Sequence, residues 1–465
     1  MSSFFNTFIL IIAISLGLAG YFVLRDGELP QISDQYWGSG SAPTSEDKSI
    51  RPFQINISEK VLTDLRTRLS LEVASQDERV ADNLEGVGFE YGMNKKFLKK
   101  VVTHWLNQYD WKQREKMLNK YPSFKTKISG IDIHFQHVKP STKGKRGNLP
   151  LLLIHGWPAS FTEYQKLIPL LVDAKDSEYN FELVIVSLPG SGFSEASRKP
   201  GLGPAEMSPI FLTLMKRLGH EKFYVQGGDW GSLIASNMGT LYRDNVLGIH
   251  MTMCFSNHPR SILKFGLASV VPQLFMDDDE IIQHVPLYRF LFHLLRETGY
   301  FHLQATKPDT IGVALSHSPS GYAAYFLEKY SFWTNATWLH LDDGGISSRF
   351  NLDELLDSLM VHWVGQSITT GMRIYREIFN VLTSNQFALD RVPVHVPASC
   401  LNFPNELLAM PKFPLLEKYP HLRYSKAPTG GHFNALEVPD IVAKDIRTSF
   451  SLVEIERTKL REPKK

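Results

Sequence analysis

The sequence predicts an α/β fold: a largely parallel sheet covered by helices and interrupted by a long helical insertion. Three observations carry that expectation. Short apolar runs of the kind buried in a parallel sheet recur at 150–154, 183–187 and 222–226, separated by helix-length segments. From about His250 to Gln386 this beat stops, and the pattern becomes mostly helical and aromatic. A further strand, Val394 to Leu401, then resumes it.

Composition sets the frame. A chain of 465 residues, 43% apolar and 21% charged, holds a substantial core, as one large domain with an inserted module or as two domains. A net charge of +2 without a basic block gives no reason to expect nucleic acid as a partner. No zinc-type Cys/His spacing occurs. The two cysteines, Cys254 and Cys400, make no disulfide framework and fit a reducing compartment.

The first element is Phe4 to Leu24, 21 residues without a charge. As a helix it would span roughly 31 Å, about the thickness of a bilayer's hydrocarbon core. No basic segment precedes it and the run exceeds a usual signal core, so residues 1–24 read as an uncleaved anchor rather than a secretory signal. The first positive side chain, Arg25, follows the span and favours a cytoplasmic body. Residues 25–49, rich in Gly, Ser and Pro, form a tether that lies over the surface or stays mobile.

Residues 50–123 lie outside a minimal core. Ser58 is placed to cap a helix carrying Val61, Leu62, Leu65 and Leu69 on one face, and a second helix is expected over Asn94–Tyr109. Core residues 124–249 open on a hairpin, Phe124 to Val138, turning at Ser129-Gly130. Asn56-Ile57-Ser58 and Asn335-Ala336-Thr337 match the glycosylation pattern but would stay unmodified on a cytoplasmic body.

The motifs sit at strand ends. The run Leu151–Ile154 leads into His155-Gly156-Trp157-Pro158. The run Lys222–Gln226 meets glycines at 227, 228 and 231 around Asp229, and a helix-compatible run follows at once. This is the layout of a nucleophile elbow, with a carboxylate where Ser or Cys is more familiar. A carboxylate is already ionised near neutral pH and attacks sp³ carbon without a base. The plain alternative for Asp229 is a helix N-cap. Glu406 follows the strand ending at Leu401, and His432 stands in Gly430-Gly431-His432-Phe433 after a last strand. Nucleophile, acid and histidine in that order is the chain order of the α/β-hydrolase triad. In that fold the oxyanion donors are the backbone N–H groups of Trp157 and Trp230.

In the insertion, residues 250–386, Asp277-Asp278-Asp279-Glu280 reads as a solvated helix start rather than a metal cluster. Gly190-Ser191-Gly192 lacks the spacing of a dinucleotide site. Core residues 387–455 and a basic tail, 456–465, complete the chain.

These residues give the chain a resemblance to the microsomal-type epoxide hydrolases, which include the insect juvenile hormone epoxide hydrolases. It extends from the apolar leader to Leu452. The segments that carry it are Tyr36-Trp37-Gly38, Arg51-Pro52-Phe53, His155-Gly156-Trp157-Pro158, Leu188-Pro189-Gly190-Ser191-Gly192-Phe193-Ser194, Gln226-Gly227-Gly228-Asp229-Trp230-Gly231, Pro404-Asn405-Glu406-Leu407 and Gly430-Gly431-His432-Phe433. The resemblance implies an α/β-hydrolase fold with a mostly helical cap, an N-terminal region wrapped around core and cap, and an N-terminal transmembrane anchor in the endoplasmic reticulum. It also implies functional tyrosines at Gly299-Tyr300-Phe301-His302 and Arg373-Ile374-Tyr375-Arg376. A protonated phenol stabilises the alkoxide left by an opening epoxide.

The implied chemistry is attack of Asp229 on an epoxide held by Tyr300 and Tyr375, then hydrolysis of the ester by water that His432 and Glu406 activate. It needs no cofactor and no metal. The expected partners are a lipophilic epoxide and membrane lipid; oligomeric state is left open. Two alternatives stand beside this: a haloalkane dehalogenase, which has no need of two phenols, and an inactive hydrolase-fold binding protein, which would carry a broken catalytic position.

Overall fold

The computed structural model describes residues 20, 25–175, 177–379 and 385–461. Apart from Gly20, the run Phe4–Leu24 read as an anchor lies outside the described residues. Among those residues, no helix is long and apolar enough to cross a membrane.

Nine strands form one mixed sheet: β1 (Ile50–Phe53), β2 (Ser123–Ile128), β3 (Ile131–Val138), β4 (Gly147–Ile154), β5 (Tyr179–Val186), β6 (Phe223–Gly227), β7 (Val246–Met251), β8 (Ala398–Asn402) and β9 (Leu422–Lys426). Their order across the sheet is β1-β2-β3-β5-β4-β6-β7-β8-β9. The strands from β4 onward run parallel, and β1 to β3 add an antiparallel edge. Leu151 to Ile154 and Leu183 to Val186 are fully buried. Helices cover both faces of a parallel sheet, so its central strands are apolar throughout rather than alternating. β2 and β3 form the expected hairpin, with Ser129 and Gly130 both at positive φ, as a two-residue turn between twisted strands requires.

In the N-terminal region Leu62, Leu65 and Leu69 of the helix Glu59–Arg79 point into the core. Ser58 stands at its N-cap position, but its side chain accepts no capping bond. Asn94 does cap the helix Lys95–Asn107, accepting from the N–H groups of Lys96 and Phe97. The tether lies on the body: Trp37 is buried, donates to Ser129 O (2.7 Å) and accepts from Arg198 N (2.8 Å). Between β7 and β8 the described elements are helices, from Pro259–Val270 to Asn385–Asp390. Asp277 begins one of them by a reciprocal cap with Glu280. The closing helix, Pro439–Arg461, takes in the first residues of the basic tail.

One expectation is corrected. Cys254 and Cys400, read as suiting a reducing compartment, form a disulfide. They stand 146 residues apart, but β7 and β8 are neighbours in register, Met251 beside Cys400. That pairing brings the Cys254 and Cys400 Cα atoms to 6.0 Å, inside the range a disulfide spans. Spacing along the chain carries no trace of it.

Candidate active site

Strand order turns at β4, which has β5 on one side and β6 on the other. Connections leave such a point in opposite directions and open a crevice beyond the carboxyl ends of the strands. The loop after β4 carries His155 to Pro158, and the turn after β6 carries Asp229.

Asp229 adopts φ 52° and ψ −124°, an unusual conformation for a residue with a side chain, between β6 and the helix Trp230–Leu241. The flanking glycines follow from crowding. A Cβ on Gly227 would lie 2.0 Å from Gly231 O, and one on Gly231 would lie 1.9 Å from Ile154 O. Asp229 occupies the helix N-cap position, yet its side chain makes no capping bond. Its Oδ1 instead accepts the backbone N–H of Trp157 at 2.8 Å. Burial pushes its carboxyl pKa up, against the pull of His432 and the N–H groups of Trp230 and Trp157.

His432 follows β9, its backbone N–H donating to Trp333 O (2.9 Å) and its ring set edge-on to that indole at 4.8 Å. Its Nδ1 lies 2.6 Å from Glu406 Oε1, and its Nε2 lies 3.6 Å from Asp229 Oδ2. Glu406 comes from the loop after β8, which bridges to the histidine loop between Asn405 and Gly431. Burial pulls the His432 pKa down. The Glu406 charge and hydrogen bond, with the charges of Asp229 and Glu163, outweigh it and raise the value to about 9.

Tyr300, on the helix Gly299–Thr306, and Tyr375, on Ile368–Ile378, reach the same point from the insertion. Tyr300 stacks on Trp157 (5.4 Å), Tyr375 meets Trp230 edge-on (4.7 Å), and the two phenol rings lie 5.9 Å apart. Burial, reinforced by the Asp229 charge, holds both phenols well above their ordinary pKa. The buried Tyr375 hydroxyl has no hydrogen-bond partner among the described residues. All seven residues singled out from the sequence therefore converge on one place.

A cavity of about 370 Å³ opens on one side of Asp229, under Tyr300 and Tyr375, walled by Leu233, Phe255, Phe301 and Leu407. Behind Asp229, toward His432, lies a void of about 10 Å³, close to the space one water fills. Asp229, His432, Thr252 and Glu163 border it. Glu163, in the short turn Phe161–Tyr164, has its pKa pushed up to about 8 by burial. Sequence reasoning missed it. It lies eight residues beyond His155 in a loop with no periodicity, and only the folded loop brings it to the histidine.

The comparisons agree with this geometry. Residues 50–164 match the family model described as epoxide hydrolase N terminus, and residues 150–338 match the alpha/beta hydrolase fold. The chain is 48% identical over 448 residues to juvenile hormone epoxide hydrolase 1 of Ctenocephalides felis, covering 95% of this chain and 94% of that one. It is 42% identical over 456 residues to epoxide hydrolase 1 of Sus scrofa, covering 96% and 99%. The crystal structure of juvenile hormone epoxide hydrolase from the silkworm Bombyx mori superposes with a TM-score of 0.86 at 40% identity, covering 91% of this chain and 99% of that one. Likeness of that degree over almost the whole of both chains places this protein in the epoxide hydrolase family, as an epoxide hydrolase on an α/β-hydrolase fold.

Proposed function

We propose that the enzyme converts lipophilic epoxides to vicinal diols through a covalent ester on Asp229. The observation that carries this is His432, with Glu406 on one ring nitrogen and Asp229 3.6 Å from the other. Tyr300 and Tyr375 hold the epoxide oxygen and donate to it as the ring opens. An Asp229 oxygen attacks a ring carbon from the opposite side, and the C–O bond breaks toward the phenols. A water behind Asp229 then gives a proton to His432 and adds to the ester carbonyl carbon. The oxyanion forms against the Trp157 and Trp230 N–H groups; one such donor is commonly worth about 3–4 kcal/mol. On collapse the ester C–O bond breaks, the leaving alkoxide takes the proton of the carboxyl group just formed, and the diol departs from a restored carboxylate. The proton His432 gives up after ring opening replaces the one the phenols passed to the first alkoxide, and the proton taken from water returns His432 to its resting state. The apolar cavity wall and the names of the insect relatives favour a substrate of the juvenile hormone class; a foreign lipophilic epoxide fits the same chemistry.

The ionisation states suit both halves. In the resting enzyme His432 is cationic near neutral pH, held among carboxylates. Esterification removes the Asp229 charge, so the His432 pKa falls and the ring becomes a base when one is needed. Where ester hydrolysis limits turnover, kcat should therefore rise with pH to a plateau along a limb below about 9. Glu163 is ionised only above about pH 8, where its charge raises His432, so Glu163→Gln should shift the upper part of that limb to lower pH. A kcat–pH profile that stays put in the variant would separate Glu163 from the histidine.

Tyr300→Phe and Tyr375→Phe keep the rings and delete the donors. Each should slow ring opening in single-turnover measurements, by roughly 10- to 100-fold, and the double exchange should slow it far more. Opening at the wild-type rate in the double variant would place the donors elsewhere.

We place the enzyme in the endoplasmic reticulum membrane, anchored once by residues 1–24, with its body in the cytoplasm. The Cys254–Cys400 bond no longer supports a reducing compartment and weighs against one, so the cytoplasmic placement rests on Arg25 following the span alone. Asn56 in its sequon is exposed, so the protein made in cells should show no mobility shift on treatment with an N-glycosidase. A shift lost on Asn56→Gln would put the body on the other side.

A further inference from the structure

The insertion carries an apolar face that none of the described residues covers. On the helix Leu287–Glu297, Tyr288, Leu291, Phe292 and Leu295 are 62%, 53%, 65% and 72% exposed. The spacing i, i+3, i+4, i+7 sets them in one stripe, the pattern that normally faces a core. On Pro259–Val270, Ser261, Phe265 and Ala268 turn inward while Leu263, Leu267 and Val270 turn out. The exposed line continues past that helix to Leu274. The two helices share one support: Phe265 meets His284 at 5.5 Å and Phe290 at 5.9 Å. Single exposed apolar residues need no explanation, but two helices turning apolar stripes outward together do.

We propose that this face lies on the lipid bilayer, its apolar side chains inserted at the headgroup boundary; this rests on the membrane anchor proposed for residues 1–24. The chain itself indicates the occupant. Asp26, two residues after the charge-free run, is ion-paired with Arg260 in the first turn of Pro259–Val270 and lies 3.7 Å from His258. Asp26 thus fixes the chain, two residues after the charge-free run, at the start of the apolar face, and a bilayer holding that run would lie against the face. Arg289 and Arg296, exposed on the striped helix, suit the phosphates of such a surface. The same helix gives Leu294 to the wall of the catalytic cavity, and Thr298 just beyond its end adds to that wall. A lipophilic epoxide dissolved in the bilayer therefore has this face beside its way in.

The test uses the full chain in phosphatidylcholine vesicles, with single exchanges Leu267→Cys, Leu274→Cys and Leu291→Cys carrying an environment-sensitive fluorophore. Cys254 and Cys400 are bonded to each other and do not compete for the label. Leu452→Cys, exposed on the closing helix against the core, is the control. Insertion roughly 5–10 Å into the headgroup–acyl boundary brings the probes within reach of bromines on shallow acyl carbons. The expected result is about a two-fold loss of fluorescence on brominated vesicles at the three cap positions and little at Leu452. Vesicles that float the protein without quenching at the cap overturn the docking face and leave the anchor standing. A blue shift at the cap without bromine quenching assigns the face to a protein surface, a second copy or the run 1–24 itself, and also overturns the proposal. Failure of the full chain to float overturns the anchor and the face together.

Discussion

Exchanging Asp229 for asparagine is expected to take epoxide hydrolysis down to background, a loss on the order of 10⁶-fold, the lower end of what enzymes gain over uncatalysed reactions. The exchange is nearly isosteric. The amide oxygen still accepts the Trp157 N–H that Oδ1 takes at 2.8 Å, so the turn and its helix should fold as before. What is lost is the ionised oxygen that attacks carbon. Because water beside His432 could also hydrolyse the new amide, the mass of the variant is checked alongside its initial rates. Activity surviving within about 100-fold, with the amide intact, would make Asp229 a structural residue and move the nucleophile elsewhere.

Replacing His432 by glutamine should separate the two halves of the reaction. Ring opening asks only for Asp229 and the phenols, whereas ester cleavage asks for a base beside the void behind Asp229. General-base assistance is commonly worth about 10²–10⁴-fold, so turnover should fall by that factor while the ester builds up. Mass spectrometry of the intact variant after brief exposure to substrate should show an adduct of the epoxide's mass, localised to the peptide holding Asp229. Loss of ring opening together with turnover, and no adduct, would assign His432 to the first step.

The site was more legible in the sequence than its surroundings, for a physical reason. Gly227 and Gly231 are forced by backbones approaching to about 2 Å of where a Cβ would be, and that crowding leaves a local mark around Asp229. The loops after β4, β8 and β9 carry the other parts, each signalled by an apolar run ending abruptly. The tyrosines were not legible in that way. Nothing local distinguishes Tyr300 or Tyr375 among 17 tyrosines, and resemblance alone pointed to them. Contacts made only by folding were missed: the Cys254–Cys400 bond, which depends on β7 lying beside β8, and Glu163 beside His432. β1 and β7 also went unrecognised. Ile50–Phe53 has only four residues and a proline, and Val246–Met251 carries Gly248 and His250 in place of an unbroken apolar run. The outward stripe on Leu287–Glu297 was invisible for a different reason, since periodicity gives a helix an apolar side without saying what that side faces.

The oxygen added to the epoxide is expected to come from Asp229. The most direct measurement is a single turnover of wild-type enzyme, in excess over epoxide, in ¹⁸O-labelled water. That turnover should give unlabelled diol, with ¹⁸O appearing in the Asp229 carboxylate as the ester is cleaved. Labelled diol on the first turnover, with no label in Asp229, would mean that water attacks the epoxide directly and that Asp229 acts as a base.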